Sequence, residues 1–432
     1  MNNTTTLIDY ITTHCNESMN RAVSAERFPL WKRICPEFTD LDFTYLGILR
    51  CIDSVDSGRH FLQVSEEIHG EICPHSTYFK SLKSPRRTLM LEALEKQSYL
   101  IHCEYLASKG VDYLENFPEL EDYTVIAADG HFVDHACHTP KGDKGKVSAA
   151  GFIYAMNLQN GLLSPLCVIT NGTKRNHEIP ILRRYIEQQN REKSQSENTL
   201  YVYDKAVTDY NWWDKQKQHN NYMISVLKEN SVATFIESIP FDQNSSINVG
   251  VEKYSVYENN GVKFSLVNYR DPETGKYHHF ISTLPESINP GTIAMLYFKR
   301  WTIEKAFNNS KSNLKEKKAW SSNSHSLKNQ MRLTAMTYNL MRVFEEISKR
   351  HTPELTHPSD QKYTKDLEQR EVNARKKGGF VNPLFFHARI VRISSYTIRA
   401  VQNAIITGKS LASLMLALVN YLVPKVSPIG ER

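Results

Sequence analysis

The chain has 432 residues, with 53 Lys and Arg against 47 Asp and Glu, a formal net charge of +6 and 40% hydrophobic residues. This composition excludes a mostly disordered chain and a disulfide-stapled miniprotein, and predicts two to four structural units of roughly 100–200 residues each. No run of about 20 apolar residues, no basic and apolar leader and no Cys-x-x-Cys pair is found, so we expect a cytoplasmic protein without a disulfide framework.

Residues 1–118 are predicted to be helical, because glycines are few and apolar residues recur at three- and four-residue spacing. A short helix at residues 64–68, a break at 70–74 and a second helix from Ser76 predict a helix-turn-helix. The side chains that would then face DNA are Ser76, Thr77, Tyr78, Lys80 and Lys83. Many helical hairpins share this pattern, so a purely structural role is the alternative.

The pattern changes at Tyr123, where short apolar runs separated by polar loops begin. The runs predict five strands near residues 123–129, 147–157, 162–170, 199–203 and 222–227. Asn160-Gly161 predicts a hairpin between the second and third strands, and an amphipathic helix is predicted at residues 177–190. The resulting order of strands and helices is that of a ribonuclease-H-like core, a mixed sheet whose first three strands are antiparallel.

Residues 231–285 alternate apolar and polar side chains between turn signals, and predict an antiparallel β-rich insert. The helical period returns at residue 289 and holds to about 350, after which a linker and a last pair of helices at 392–423 are predicted. The predicted fold is therefore α/β, a mixed-sheet core with an all-β insert, flanked by helical regions. Its segments are a helical N-terminal region with the candidate DNA-binding helix-turn-helix (1–118), a mixed-sheet core in two parts (119–230 and 289–350), the insert (231–288) and a helical C-terminal region (351–432).

Two acidic residues, Asp129 and Asp204, follow the predicted central strands. In open α/β sheets functional groups gather where strands end, so both carboxylates would face one opening. Neighbouring carboxylates repel each other, which makes a divalent cation their natural partner. The alternative is that each aspartate begins a turn or caps a helix.

A third acidic residue lies in a charged helical stripe. Tyr297, Arg300, Glu304 and Lys311 fall within an arc of about 60° on one predicted helix face. A carboxylate flanked by two cations suits a site for metal and phosphate. The alternative is a solvated face with an Arg300–Glu304 ion pair. Between residues 297 and 352 there are 12 Lys and Arg against 4 Asp and Glu, an excess that favours an anionic partner or, equally, a solvated helix.

These residues resemble a known family. The spacing Tyr297-x2-Arg300-x3-Glu304-x6-Lys311 matches the Y-R-E-K signature of insertion-sequence DDE transposases of the IS-four type. The segments VIAADG around Asp129, LYVYDKAVTD around Asp204, and YRDPETG before the signature resemble that family in order and spacing. The resemblance covers about residues 123–347, and the last 80 or so residues match least well.

The resemblance implies a cut-and-paste DNA transposase that cleaves at the terminal inverted repeats of its element and joins the freed ends to target DNA. It implies Asp129, Asp204 and Glu304 as catalytic ligands of two Mg²⁺ ions, which Mn²⁺ can replace. Its partners would be double-stranded DNA and a second copy of the chain, in the cytoplasm and associated with the nucleoid of a prokaryote. The residues expected to contact DNA are Tyr297, Arg300 and Lys311, with Trp301, Lys205, Tyr78 and Lys80 as further candidates.

Other interpretations remain open at this stage. Trp301 either packs the signature helix onto the core or stacks on a DNA base, and the apolar segment 410–423 is either a dimer contact or ordinary core. The acidic, histidine and cysteine residues at 129–138 have the composition of a zinc site but fit no standard zinc motif. An inactive DNA-binding descendant of a transposase, a ribonuclease-H-like nuclease and a zinc hydrolase are the competing functions.

Overall fold

The structure is a computed structural model. It describes residues 7–24, 38–52, 57–69, 73–136, 150–170, 178–192, 197–204, 208–229, 231–314, 316–351, 358–382 and 395–407. Within them the helices are α1 (Leu7–Ser24), α2 (Asp40–Ile52), α3 (Gly58–His69), α4 (His75–Leu82), α5 (Pro85–Ser108), α6 (Glu178–Glu192), α7 (Tyr210–Lys217), α8 (Pro290–Lys299), α9 (Trp301–Asn313), α10 (Ser324–His351), α11 (Pro358–Arg375) and α12 (Ser395–Ile406). The strands are β1 (Tyr123–Val133), β2 (Ala150–Asn157), β3 (Leu163–Ile169), β4 (Asn198–Val202), β5 (Asn221–Val226), β6 (Thr234–Ser238), β7 (Val251–Asn259), β8 (Val262–Arg270) and β9 (Tyr277–Ser282).

All nine strands form a single mixed sheet in the order β3-β2-β1-β4-β5-β9-β8-β7-β6. Strand β2 is antiparallel to both of its neighbours, β1 and β3, whereas β1, β4 and β5 run parallel. The predicted strands of the insert, β6 to β9, are present and antiparallel. They do not form a sheet of their own, because β9 pairs with β5 and extends the central sheet.

Two of the hairpins have the turn chemistry that the sequence predicts. Gly161, between β2 and β3, has a φ of 74°. At the β7–β8 turn, Asn260 and Gly261 have φ values of 49° and 82°. Positive φ at both central residues is the requirement of the type I′ turn, and Asn-Gly meets it with little strain.

Helices cover both faces of the sheet, which explains why its central strands are apolar on both sides. On one face α6 and α7 pack their apolar side chains, including Leu182 and the fully buried Trp213, against Tyr201 and Met223. On the other face a larger core joins the sheet to α1–α5, α8–α10 and α12. Within the described residues no helix is long and apolar enough to cross a membrane.

The N-terminal region is helical, as predicted, and α3 and α4 occupy the positions of the predicted helix-turn-helix. In the C-terminal region the expected linker is interrupted by an 18-residue helix, α11. Arg370 on this helix contacts Glu273 in the β8–β9 turn at 2.5 Å, which docks the helix on the sheet. Of the two helices predicted at 392–423, α12 is present, and residues 408–432 lie outside the described part of the chain.

Candidate active site

Asp129 and Asp204 lie at the same level of two adjacent parallel strands. The last residues paired between β1 and β4 are Ala127 and Val202, and each aspartate follows two residues later. Residues two apart in an extended chain point to the same face, and neighbouring strands are about 4.8 Å apart. Ala127 and Val202 both face the core shared with α8–α10, so the aspartates belong to that face. Asp129 does not end its strand as expected, because β1 continues along β2 to Val133.

Arg300 connects two of the three acidic residues directly. Its Nη1 lies 3.4 Å from Oδ2 of Asp129, and its Nη2 donates to Oε1 of Glu304 at 3.1 Å. The side chain of Arg300 is 6% exposed, against 21% for Asp129 and 49% for Glu304. Arg300 is therefore a nearly buried cation held between carboxylates from β1 and α9.

Asp204 belongs to the same electrostatic group. Burial by itself would lower the pKa of Arg300, yet that pKa is raised, because the surrounding groups favour the charged form: Tyr297, Asp129, Glu304 and Asp204. Burial raises the pKa of Tyr297; Arg300 counteracts this effect, and the negative charge of Asp204 adds to it. The fold thus brings Asp129 and Glu304, 175 positions apart in the sequence, to the same guanidinium, and the charge of Asp204 acts on that guanidinium as well.

The signature residues do not lie on one uninterrupted helix. Tyr297 is on α8, Arg300 stands between α8 and α9, and Glu304 and Lys311 are on α9. Arg300 keeps helical dihedral angles, with φ −49° and ψ −35°, and its amide still donates to the carbonyl of Leu296 at 3.0 Å. The predicted single helix is therefore two helices that meet at Arg300, and they still place Tyr297, Arg300 and Glu304 side by side.

The other predicted DNA contacts have varied surroundings. Lys311 is half-buried, seven residues beyond Glu304 on α9. Trp301 is 39% exposed, and its ring packs edge-on against Phe298 at 5.9 Å. Trp301 therefore packs on α8 with one part of its ring and presents another part to solvent. Lys205 lies outside the described residues.

Tyr78 and Lys80 differ sharply in exposure. Lys80 is exposed on α4, where it is available to a partner. Tyr78 is fully buried between Phe61 and Phe79, with the guanidinium of Arg50 over its ring at 5.8 Å. The prediction that Tyr78 faces DNA is wrong for this structure, because Tyr78 and Leu82, four residues apart, form the buried face of α4.

The histidine-rich segment after Asp129 does not assemble a zinc site in the described chain. Among the residues described, no group of three or more His, Cys, Asp or Glu is placed to hold one metal ion. This statement also covers Asp129, Asp204 and Glu304, of which the first and the last are paired with Arg300. His131 is buried rather than at the rim of the site, and Cys137 and His138 lie outside the described residues.

Sequence reasoning missed a buried polar cluster beside the site. Glu316 is 1% exposed, and its Oε1 accepts a hydrogen bond from the hydroxyl of Tyr154 at 2.5 Å. Its Oε2 lies 3.0 Å from Nε2 of His131. Because Glu316 occurs among lysines, in LKEKKAW, the sequence indicated a solvated surface. Only the sheet register, which places Tyr154 opposite Asp129, reveals the cluster.

Comparison with known proteins identifies the family. Residues 120–340, a little more than half of the chain, match the family model described as the transposase DDE domain. The chain belongs to this family. It is a transposase, and the family implies a polynucleotidyl transferase or endonuclease that acts on DNA and generally uses divalent metal ions. The matched region contains Asp129, Asp204 and Glu304. No curated protein matches the chain.

Proposed function

We propose that this transposase belongs to the IS-four type and moves an insertion sequence by a cut-and-paste route. It would cleave DNA at terminal inverted repeats and join the freed 3′ ends to target DNA, on a ribonuclease-H-like core. The observation that carries the proposal is the position of Arg300 between Asp129 and Glu304, with the charge of Asp204 acting on the same guanidinium. The resemblance to this family implies that Asp129, Asp204 and Glu304 are the ligands of two metal ions and that Arg300 contacts the transposon end.

The acidic group fits a hard divalent cation. All the candidate ligands are carboxylate oxygens, which Mg²⁺ and Mn²⁺ prefer, and a positive group already stands between Asp129 and Glu304. We assign Asp129, Asp204 and Glu304 as the residues that would hold two Mg²⁺ ions. When bound, the ions activate the attacking water or 3′-hydroxyl and stabilise the leaving oxygen. Arg300 must leave its position between the carboxylates for all three to act as ligands.

Arg300 and Lys311 are suited to hold the DNA backbone near the carboxylates, whereas Tyr297 is 7% exposed and would contact DNA only after a rearrangement. The Nε of Arg300 is buried without a hydrogen-bond partner among the described residues, so this guanidinium has a donor to offer to a phosphate oxygen. Lys311 extends the positive charge along α9. The exposed part of the Trp301 ring is available for stacking on a base beside the cleavage site.

We assign the N-terminal helical segment as the region that binds the transposon ends. Lys80, exposed on the second helix of the helix-turn-helix, is its proposed phosphate contact. The transposase is proposed to act as a homodimer that brings two transposon ends together. The apolar segment 410–423, the candidate dimer contact, lies outside the described residues, and this part of the proposal depends on the family resemblance alone.

A cleavage assay separates the proposed activity from an inactive DNA-binding descendant. The full chain is incubated with Mg²⁺ and linear DNA carrying the ends of its element, taken from the DNA that flanks its gene. We expect Asp129→Asn, Asp204→Asn and Glu304→Gln each to abolish cleavage while end binding, measured by gel shift, is retained. Asp134→Asn, an exposed change at the end of β1, is the matched control and should cleave normally.

Two outcomes would contradict the proposal. If the three variants lost end binding together with cleavage, the carboxylates would be structural rather than catalytic. If the wild-type chain cut DNA without regard to the terminal repeats, a general ribonuclease-H-like nuclease would be the better assignment. Strand transfer of the cut end into a plasmid, lost in the same variants, completes the test of a transposase.

A further inference from the structure

Behind the candidate active site lies a carboxylate that the proposed mechanism does not use. The side chain of Glu316 is 0% exposed. It accepts from Tyr154 on β2 at 2.5 Å and lies 3.0 Å from the imidazole of His131 on β1. Burial of a carboxylate is costly unless its oxygens are bonded, so the hydrogen bond from Tyr154 to Oε1 and the nearby imidazole at Oε2 both favour this one position of Glu316.

The residues of this cluster lie on β1, on β2 and just after α9. Strand β1 and helix α9 also carry two of the acidic residues of the site. His131 follows Asp129 by two residues on the same face of β1, and Tyr154 is the residue paired with Asp129 across β1 and β2. Phe307, three residues after Glu304 on α9, packs against both rings. Its ring centroid lies 4.5 Å from that of His131 and 5.8 Å from that of Tyr154.

The backbone continues the connection. After Glu316 the chain runs beside the end of β1, where the amide of Asp134 donates to the carbonyl of Lys317 at 2.7 Å. The amide of Ala319 donates to the carbonyl of Asp134, also at 2.7 Å. The start of α9 is tied to β1 by Arg300 and Asp129, and the segment after α9 is tied to β1 by Glu316 and this bridge.

The two connections differ in strength. The contacts of Arg300 involve carboxylates that are 21% and 49% exposed, so solvent weakens them and metal or DNA can displace them. The hydrogen bond from Tyr154 to Glu316 is fully buried, and breaking it leaves an unsatisfied polar group in the core. We expect the Glu316 cluster to keep the segment after α9 beside β1 when Arg300 leaves its position.

We propose that Glu316 is a positioning residue that fixes the separation of β1 and α9, and therefore that of Asp129 and Glu304, for metal binding. The inference rests on the proposed function, because it takes these two carboxylates as ligands. Partners that orient metal ligands from outside the first coordination sphere typically change metal affinity 10- to 100-fold. We expect a change in metal affinity of this size when the hydrogen bond between Tyr154 and Glu316 is removed.

The test measures Mn²⁺ binding to the full chain by electron paramagnetic resonance of the free ion, which does not depend on activity. Glu316→Gln and Tyr154→Phe should each raise the Mn²⁺ concentration for half-saturation about 10- to 100-fold. The matched controls are Glu345→Gln and Thr397→Val, at another fully buried carboxylate that accepts from a hydroxyl at 2.6 Å. These should lower the melting temperature by a comparable amount and change Mn²⁺ binding less than about twofold.

The outcomes distinguish this inference from the proposed function. Unchanged Mn²⁺ binding in Glu316→Gln and Tyr154→Phe, or equal weakening in the Glu345 and Thr397 controls, would overturn the positioning role. Asp129→Asn is the reference: if it binds Mn²⁺ as tightly as the wild type, the proposed metal site itself is wrong. Should Glu316→Gln not fold, Tyr154→Phe carries the test, because it removes a single hydroxyl.

Discussion

Arg300 is the residue at which the structure changes the interpretation of the sequence most. Its place in the signature suggested an exposed contact with DNA. In the structure it is nearly buried and serves as the internal counter-ion of Asp129 and Glu304. A guanidinium between two carboxylates and a metal ion bound at the same carboxylates exclude each other. Arg300 must therefore move before metal can bind to Asp129 and Glu304. Arg300 is therefore expected to compete with metal in the free enzyme.

Replacing Arg300 by Gln tests this competition. Without metal, we expect the free energy of unfolding to fall by about 1 kcal/mol, because both partner carboxylates are partly exposed. Mn²⁺ should then stabilise Arg300→Gln more than it stabilises the wild type, since no guanidinium has to be displaced. Urea unfolding with chelator and with Mn²⁺ measures both effects.

Arg332→Gln is the matched control for this comparison. Arg332 pairs with Glu92 at 2.8 Å. As in the pair of Arg300 and Glu304, the arginine is largely buried and the glutamate is partly exposed. We expect a similar loss of stability and an unchanged response to Mn²⁺. Equal Mn²⁺ stabilisation of the wild type and Arg300→Gln would show that the guanidinium and the metal do not share a site.

Single residues also explain why the basic stretch after residue 297 is not simply a DNA-binding surface. Lys299, Arg300 and Arg342 contribute to its positive charge, yet they are 1%, 5% and 1% exposed. Lys299 donates to the carbonyl of Tyr113 at 2.9 Å, and burial lowers its pKa to about 7. Charge counted along a sequence does not distinguish buried cations with internal partners from exposed ones.

At the scale of elements, the sequence predicted what depends on short-range patterns. The strands β1–β5, the Asn-Gly hairpin and the helices α3 and α4 follow from alternation, turn chemistry and helical spacing. The interruption at Arg300 and the merging of the insert with the central sheet were not predicted, because both depend on long-range packing. The burial of Tyr78 could have been predicted from its spacing to Leu82.

Helix α4 gives a test at this scale. Lys80→Ala should weaken binding of the transposon end and reduce the slope of log Kd against log salt by about 1, the effect of losing one phosphate contact. Fluorescence anisotropy of labelled end DNA at several salt concentrations measures both quantities. Lys96→Ala, an exposed change on α5, should leave the slope unchanged.

Tyr78→Phe completes this comparison on the same helix. Because the ring of Tyr78 is fully buried, removal of its hydroxyl should not change binding of the DNA end. A loss of affinity in Tyr78→Phe as large as that in Lys80→Ala would mean that α4 rearranges when DNA binds. An unchanged salt slope in Lys80→Ala would remove this lysine from the interface.

At the scale of the whole molecule, the main core does not separate the N-terminal helices from the catalytic region. One continuous cluster of buried side chains extends from Ile11 on α1 through the sheet to Ala404 on α12. The segment boundaries predicted near residues 118 and 289 therefore describe the sequence pattern, and the packing crosses them. We expect the described parts of the chain to unfold together.

A buried histidine allows this cooperation to be tested with pH. The ring of His14 stacks on His102 at 4.4 Å, and its Nε2 lies 2.8 Å from Oγ of Ser98. Burial lowers the pKa of His14 to about 4. The folded chain then keeps His14 neutral at pH 5, whereas the unfolded chain binds a proton below its ordinary pKa of about 6.5. Acidification from pH 7 to pH 5 should therefore lower the free energy of unfolding by about 2 kcal/mol through this residue.

His14→Gln is expected to show a correspondingly smaller loss between pH 7 and pH 5. Urea unfolding is followed by the fluorescence of Trp213 in a chain whose four other tryptophans are replaced by phenylalanine, because Trp213 is buried on the sheet face opposite to α1. If acidification changed only the circular dichroism of the helices and left the fluorescence transition in place, the N-terminal region would unfold on its own. That result would contradict a single cooperative core.

The meeting of α8 and α9 at Arg300 has a consequence for mutagenesis. Arg300 supplies the positive charge between two acidic side chains and is also the residue at which two helices meet. A replacement that removes the charge also changes the residue at the helix junction, so a defect seen with one substitution has two sources. Lysine and glutamine, which differ in charge but have similar helix preference, form the pair that tells these sources apart.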